Sequence, residues 1–204
     1  MGTTGRHRHS RQNQKTRQAT SGSRRKRNRF SVGRSRQWVA FGLTAHVVLP
    51  DDANLQRVRA GYPSYPNALK PSFVFEGDDL AADTFWMGDL LNTWAENWIS
   101  YWAVGRGCFA MADFEDAGIG QALQFLSQAG RADQHQLLVL RGGSDYTVQP
   151  QGETPAQFLA RQNSAGLSGF QEALNDLYHV GSIVVMQLSA NWNTYANQIP
   201  CPNH

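Results

Sequence analysis

The chain predicts an α/β fold with a mainly parallel sheet, preceded by a disordered basic tail. Three observations carry this. Charge divides the 204 residues sharply at about Gln37. Beyond that point, short apolar runs of strand type alternate with longer stretches of helical periodicity, the rhythm of parallel strands joined by right-handed crossovers. The stretch Leu137-Leu-Val-Leu-Arg141-Gly-Gly-Ser-Asp145 runs from four apolar residues into a Gly-rich loop ending in an acid. In open α/β sheets, ligands bind at the carboxyl edge that such a loop delivers.

Residues 1–37 contain twelve of the nineteen basic residues and no Asp or Glu, so they carry +12. The other seven bases stand against all sixteen acids, which leaves −9 on residues 38–204. The net +3 therefore describes a tail rather than a domain. Self-repulsion and a near absence of large apolar residues predict disorder there. Arg24-Arg25-Lys26-Arg27 is its densest patch. It reads either as an arm for a polyanion (nucleic acid or anionic lipid) or as a solvated extension. No signal peptide is recognisable, because Phe30-Ser-Val-Gly33 is short and polar. No run of about 18 apolar residues that could span a membrane occurs. Cys108 and Cys201 match no metal-ligand spacing, so no metal is expected. They are either one disulfide or two free thiols.

Within 38–204, Trp38 to Pro71 mixes apolar residues with turn formers and reads as a short helix or an irregular lead-in. Ser72-Phe-Val-Phe75 is the first expected strand. Asp83 and Thr84 suit N-caps, and Phe85 to Ala103 repeats apolar residues at Leu90, Leu91, Trp94 and Trp98. Gly107 to Met111 reads as the second strand. Glu115 to Gln128 follows as a helix with Ile119, Ala122, Leu123 and Leu126 on one face. Leu137 to Leu140 is the third strand. Two or three helices are expected to close the chain, over Pro155 to Gln162, within Gly169 to Tyr178, and from Ser182 to Ala196 with Val184, Val185, Leu188 and Trp192.

Each strand exit presents chemistry. At the first, Phe85 and Trp86 either wall a flat ligand or belong to the core of the following helix. At the second, Glu115 opens a helix, where the dipole favours a carboxylate. It serves either as an acceptor for ligand hydroxyls or as a plain N-terminal acid. At the third, Ser144 and Asp145 end the Gly-rich loop, and Asp145 either faces a pocket or is solvated. Arg141 could tune the protonation of that acid or brace its loop.

The segments Gly77-Asp-x-Leu-x-x-Asp-x-Phe-Trp86, Phe114-Glu-Asp-x-Gly118, Leu138-Val-Leu-Arg-x-x-Ser-Asp-Tyr-Thr-x-x-Pro150 and Leu177-Tyr-x-Val-Gly-Ser182-x-Val-Val185 occur in the order of the purine nucleoside permease family. The chain resembles that family from about Trp38 to Pro200. The family in turn resembles the nucleoside phosphorylase superfamily, which implies a three-layer α/β sandwich. Carried over by position, the resemblance implies that Phe85 stacks on a purine with Trp86 beside it. Glu115 would take the ribose hydroxyls, with Phe114 as apolar floor where the superfamily has methionine. Asp145, next to Ser144, would meet purine N7. An acid there protonates the leaving base, and a carboxylate by the sugar tolerates its developing positive charge. Met87 stands where bacterial relatives often carry a polar residue such as His.

By the same resemblance the chain corresponds to the C-terminal half of a family member, which leaves an edge of the sheet uncovered. The function implied is purine nucleoside binding and uptake by a truncated member. One alternative is a phosphorylase or hydrolase cleaving the N-glycosidic bond, with phosphate as co-substrate but no cofactor. The other is an inactive fragment whose tail binds polyanions. A purine nucleoside is the expected partner, with a homo-oligomer as a further reading. Localisation is unknown from the sequence, and the resemblance adds only that family members can be exported or membrane-associated.

Overall fold

A computed structural model describes residues 34–197. Most of the expected tail lies outside these residues, and Arg34 to Gln37 fall in the first helix, α1 (Arg34–Thr44). The order continues with α2 (Ala53–Arg59), β1 (Asp78–Ala81), α3 (Asp89–Trp102), β2 (Phe109–Asp113) and α4 (Asp116–Gln128). A 3-10 turn (Gln134–Gln136) precedes α5 (Pro155–Ala165), α6 (Phe170–Ala190) and α7 (Trp192–Asn197). The lead-in before the sheet thus contains two short helices. Asp52 starts α2 by accepting the backbone N–H groups of Asn54 and Leu55 through its carboxylate.

Among the described residues the sheet has two strands, β1 and β2, and they are parallel. The expected strand Ser72–Phe75 is not one. Phe73 and Phe75 are half-exposed and lie against each other, ring centroids 5.2 Å apart. The ladder forms three residues later, where a partner is available. Asp78 donates its backbone N–H to Cys108 O at 2.7 Å, and its carboxylate accepts the Cys108 N–H at 2.8 Å. Gly77 permits the approach, since a Cβ there would lie 2.4 Å from the Cβ of Ala110. The second strand runs two residues further than its apolar stretch suggests, to Asp113.

Leu137–Leu140 joins no ladder, which corrects the expected third strand. The segment starts extended (Leu137 φ −91°, ψ 132°) but lies between α4 and α6. Leu138, Val139 and Leu140 keep partly exposed side chains. Its end meets β2 through side chains rather than a ladder: Arg141 faces Asp113 Oδ2 at 3.1 Å, and a Cβ on Gly143 would lie 3.8 Å from Met111 Cε. Gly142 presses on α6, where a Cβ would sit 2.9 Å from Leu177 Cγ and 3.0 Å from Ala173 O. Strand propensity without a partner at hydrogen-bonding distance makes no sheet.

The helices also shift. α3 starts at Asp89 rather than Phe85, because Gly88 donates to Thr147 O at 2.7 Å and Met87 is buried beside it. Met87 thus belongs to the core rather than to a pocket. α4 follows the expected span. α5 starts with Pro155 behind a reciprocal Thr154–Gln157 capping box. The two expected C-terminal helices are one, α6, of 21 residues. Gly181 costs a helix about 1 kcal/mol in isolation, but Val180 and Val184 are buried on either side and carry the helix through. The chain breaks only at Asn191. Val185 and Trp192, two of the apolar residues that suggested the last helix, are mostly exposed.

Candidate functional site

β1, the carboxyl end of β2 and the start of α4 collect acids. In the ladder Asp79 stands opposite Met111, and Ala81 opposite Asp113. Side chains alternate along a strand and cross-strand partners share a face, so Asp79 and Asp113 project from the same face. α4 begins three residues after Asp113 and adds Asp116. One carboxylate oxygen from each of Asp79, Asp113 and Asp116 lies within 4.8 Å of the others. Burial first, then hydrogen bonding and repulsion from the other two acids, push Asp79 up to about 7.

Arg141 answers this cluster. Its Nε donates to Asp116 Oδ2 at 3.1 Å, Nη1 donates to Glu115 Oε2 at 3.0 Å, and Nη2 bonds Asp116 Oδ1. Nη2 also approaches Asp113 Oδ2 at 3.1 Å, a charge contact without hydrogen-bond alignment. Asp116 is desolvated, yet the Arg141 bonds overcome this and hold it below the usual carboxylate range. The same bonds raise the Arg141 guanidinium. Arg141 therefore ties the third exit to the second.

Phe85 and Phe114 meet in front of this knot. Their ring centroids are 6.2 Å apart, and each ring is nearly half-exposed. Glu115 follows Phe114 and keeps an exposed carboxylate, whose bond to Arg141 uses Oε2 alone. Trp86 turns elsewhere. It stacks on Phe109 at 6.2 Å, and its indole Nε1 is buried without a partner.

Asp145 sits on a separate hub. The segment 145–151 threads between the start of α3 and the lead-in. Gln151 donates to Gly61 O at 2.8 Å, and the Tyr146 hydroxyl donates to Ala68 O at 2.9 Å. Ser144 O accepts Gly169 N–H at 2.9 Å, which fastens the loop to the head of α6. Asp145 Oδ1 accepts from its neighbour's backbone, Tyr146 N, at 2.8 Å and from Ser168 Oγ at 3.3 Å, while Oδ2 is buried with no partner. Burial pushes this acid up to about 6, and the Tyr146 and Ser168 bonds hold it lower than burial alone would. Beside it Tyr62 is 3% exposed, meets the Tyr146 ring at a tilt with centroids 4.1 Å apart, and has its phenol pushed up by burial and by Asp145.

The structure thus brings Phe85, Phe114, Glu115 and Arg141 together, whereas Asp145 and Trp86 bond to other neighbours. Asp79, Asp113 and Asp116 were not singled out from sequence, nor were Tyr62 and Ser168. An acid within or ending each strand was the available signal for the first group. Tyr62 and Ser168 carry no local signal, because only tertiary contact makes them neighbours of Asp145. An open cavity of about 420 Å³ lies beside the knot, lined by Glu115, Arg141, Leu137–Leu140 and Leu177 among others. Cys108 is an exposed free thiol, and Cys201 lies outside the described residues. Among the described residues, no helix is long and apolar enough to cross a membrane.

Comparison with known proteins bears on this arrangement. The family model for purine nucleoside permease matches residues 3–200. Two curated relatives, the purine nucleoside permeases of Candida albicans and of its strain SC5314 / ATCC MYA-2876, are each 21% identical over 120 residues. That region is 59% of this chain but only 29% of each relative, so the match spans less than a third of the relatives' length. No solved structure matches. With the family model covering nearly the whole chain, the protein belongs to the purine nucleoside permease family.

Proposed function

We propose that the chain binds purine nucleosides and serves their uptake. The observation that carries this is the half-exposed Phe85–Phe114 pair, followed directly by the exposed carboxylate of Glu115. Two tilted rings offer a flat base an apolar face, and stacking on an aromatic side chain contributes about 1–3 kcal/mol per base. Glu115 has acceptor capacity left for ribose hydroxyls, because Arg141 engages one of its oxygens. Trp86 would back the base pocket through Phe109. On this reading Asp145, next to Ser144, is kept as the acid at purine N7, which requires its buried Oδ2 to open to the ligand from a hub apart from the ring pair. The same reading takes the two-stranded sheet and its helices as part of a three-layer, nucleoside phosphorylase-like sandwich. The +12 of residues 1–37 is read with it as a polyanion-binding arm.

Calorimetric titration with inosine and adenosine tests the reading. Binding that weakens about tenfold in Phe85→Ala and also falls in Glu115→Ala is the expected result. Absence of binding heat and of any spectroscopic change for either nucleoside would sink it.

One observation favours a second reading, cleavage of the N-glycosidic bond. Burial raises Asp145 to about 6, which keeps part of this carboxyl protonated near neutral pH, as a general acid requires. Release of free base that declines as pH rises through about 6 supports cleavage. Binding without base release leaves the uptake role alone.

A further inference from the structure

We propose that the carboxylates around Arg141 make the site an anion filter, occupying its arginine so that uncharged nucleosides are accepted while inorganic phosphate and nucleoside 5′-phosphates are rejected. The inference rests on the nucleoside reading for its ligand, but its own basis is the arginine.

An arginine beside a ligand cavity is ordinarily the natural partner for a phosphate, because its planar fork matches phosphate oxygens two at a time. Here every guanidinium nitrogen is already engaged. Nε and Nη2 hold Asp116, Nη1 holds Glu115 at 3.0 Å, and Nη2 also faces Asp113 at 3.1 Å. The Asp113 side chain is 6% exposed, and neither of its oxygens has a hydrogen bond. It is a buried acid that faces Arg141 as its counter-charge and lies beside the carboxyls of Asp79 and Asp116. A phosphate that captured the guanidinium would strip Asp113 of the one cation it pairs with among the described residues, which is costly for a buried carboxylate.

Charge balance acts in the same direction. One cation faces four carboxyl groups, those of Asp79, Asp113, Glu115 and Asp116. Even with a proton retained on Asp79, the cluster keeps a formal negative charge. Outside this cluster, residues 38–204 still hold six basic against twelve acidic residues, so no compensating field comes from the rest of the domain. A phosphate on a ribose seated at Glu115 lies within about a Debye length, ~8 Å, of this cluster and is repelled by it. An uncharged nucleoside meets no such penalty.

Titration of the full chain with inosine, inosine 5′-monophosphate and inorganic phosphate, at low and near-physiological salt, provides the test. The monophosphate should bind about tenfold more weakly than inosine at low salt, with the gap narrowing as salt screens the repulsion. Asp116→Asn, at a partly exposed position outside the proposed nucleoside contacts, should free part of the guanidinium. Phosphate and monophosphate binding should then appear and weaken with salt, while inosine affinity stays unchanged. Monophosphate binding as tight as inosine in the unaltered chain would overturn the filter, as would inorganic phosphate binding that Asp116→Asn leaves unaltered. The phosphate arm decides the filter even if inosine fails to bind, a result that would count against the nucleoside reading alone.

Discussion

Asp79 and Asp145 are both half-buried carboxyls raised towards neutrality, yet their surroundings are opposite. Asp79, at about 7, belongs to a knot where other acids add to burial and Arg141 offsets part of the group's charge. Asp145, at about 6, has no arginine in contact. Burial alone raises it, two hydrogen bonds restrain it, and one oxygen keeps no partner. A network of mutually engaged charges leaves little capacity for a ligand and holds the chain together. A desolvated acid with a vacant oxygen contributes little to cohesion and is disposed to exchange a proton. The difference separates a brace from a candidate reacting group, even though both shifts have the same sign.

The comparison breaks most visibly at Arg141. Arg141→Met removes the cation from carboxylates that are largely buried, and breaking such pairs costs about 3 kcal/mol. Urea denaturation should show this loss, while Asp145→Asn should leave stability nearly unchanged. Equal effects would erase the distinction. Next in size, Phe85→Ala should weaken inosine binding by about 1–2 kcal/mol in calorimetry, with little change in melting temperature because the ring is nearly half-exposed.

Asp79→Asn sharpens the comparison through pH. The folded-state pKa of Asp79, about 7, lies above its ordinary 3.8. Its stabilising contribution is therefore complete below about 3.8 and is lost as pH rises towards 7. Asp79→Asn should be isostable with the parent near the lower limit and more stable above the upper one. Allowing for partial solvent access, the gain is on the order of 1 kcal/mol in denaturation at matched pH. A variant less stable than the parent at high pH would show that the Asp79 charge is needed. The smallest effect belongs to Ser168→Ala. Removing its 3.3 Å bond takes away one of the groups that lower Asp145, so the acid should titrate slightly higher by carbon-detected NMR, with stability reduced by a few tenths of a kcal/mol at most.

Much of this molecule is legible in its amino-acid order where the deciding interactions are local. The α4 span, the Thr154–Gln157 box that starts α5, and the division between a basic tail and an acidic remainder all follow from neighbouring residues. The motifs around Phe85, Glu115 and Asp145 sufficed to identify the family. Long-range partners decided the rest. Leu137–Leu140 reads as a strand by composition, yet Gly142 lies against α6 and Arg141 meets β2 only through the Asp113 side chain, so no ladder forms. Ser72–Phe75 has the stronger strand composition, but β1 forms where Gly77 admits the neighbouring chain. Charge pairing behaves likewise. Nothing local in Arg141 says that Asp113, Glu115 and Asp116 will surround it, and nothing local in Asp145 says that burial near Tyr62 will raise it. Residue order determined which groups stand at the strand exits. Only folding decided which of them are neutralised and which remain open to a ligand, because burial and counter-charges are supplied by segments distant in the chain.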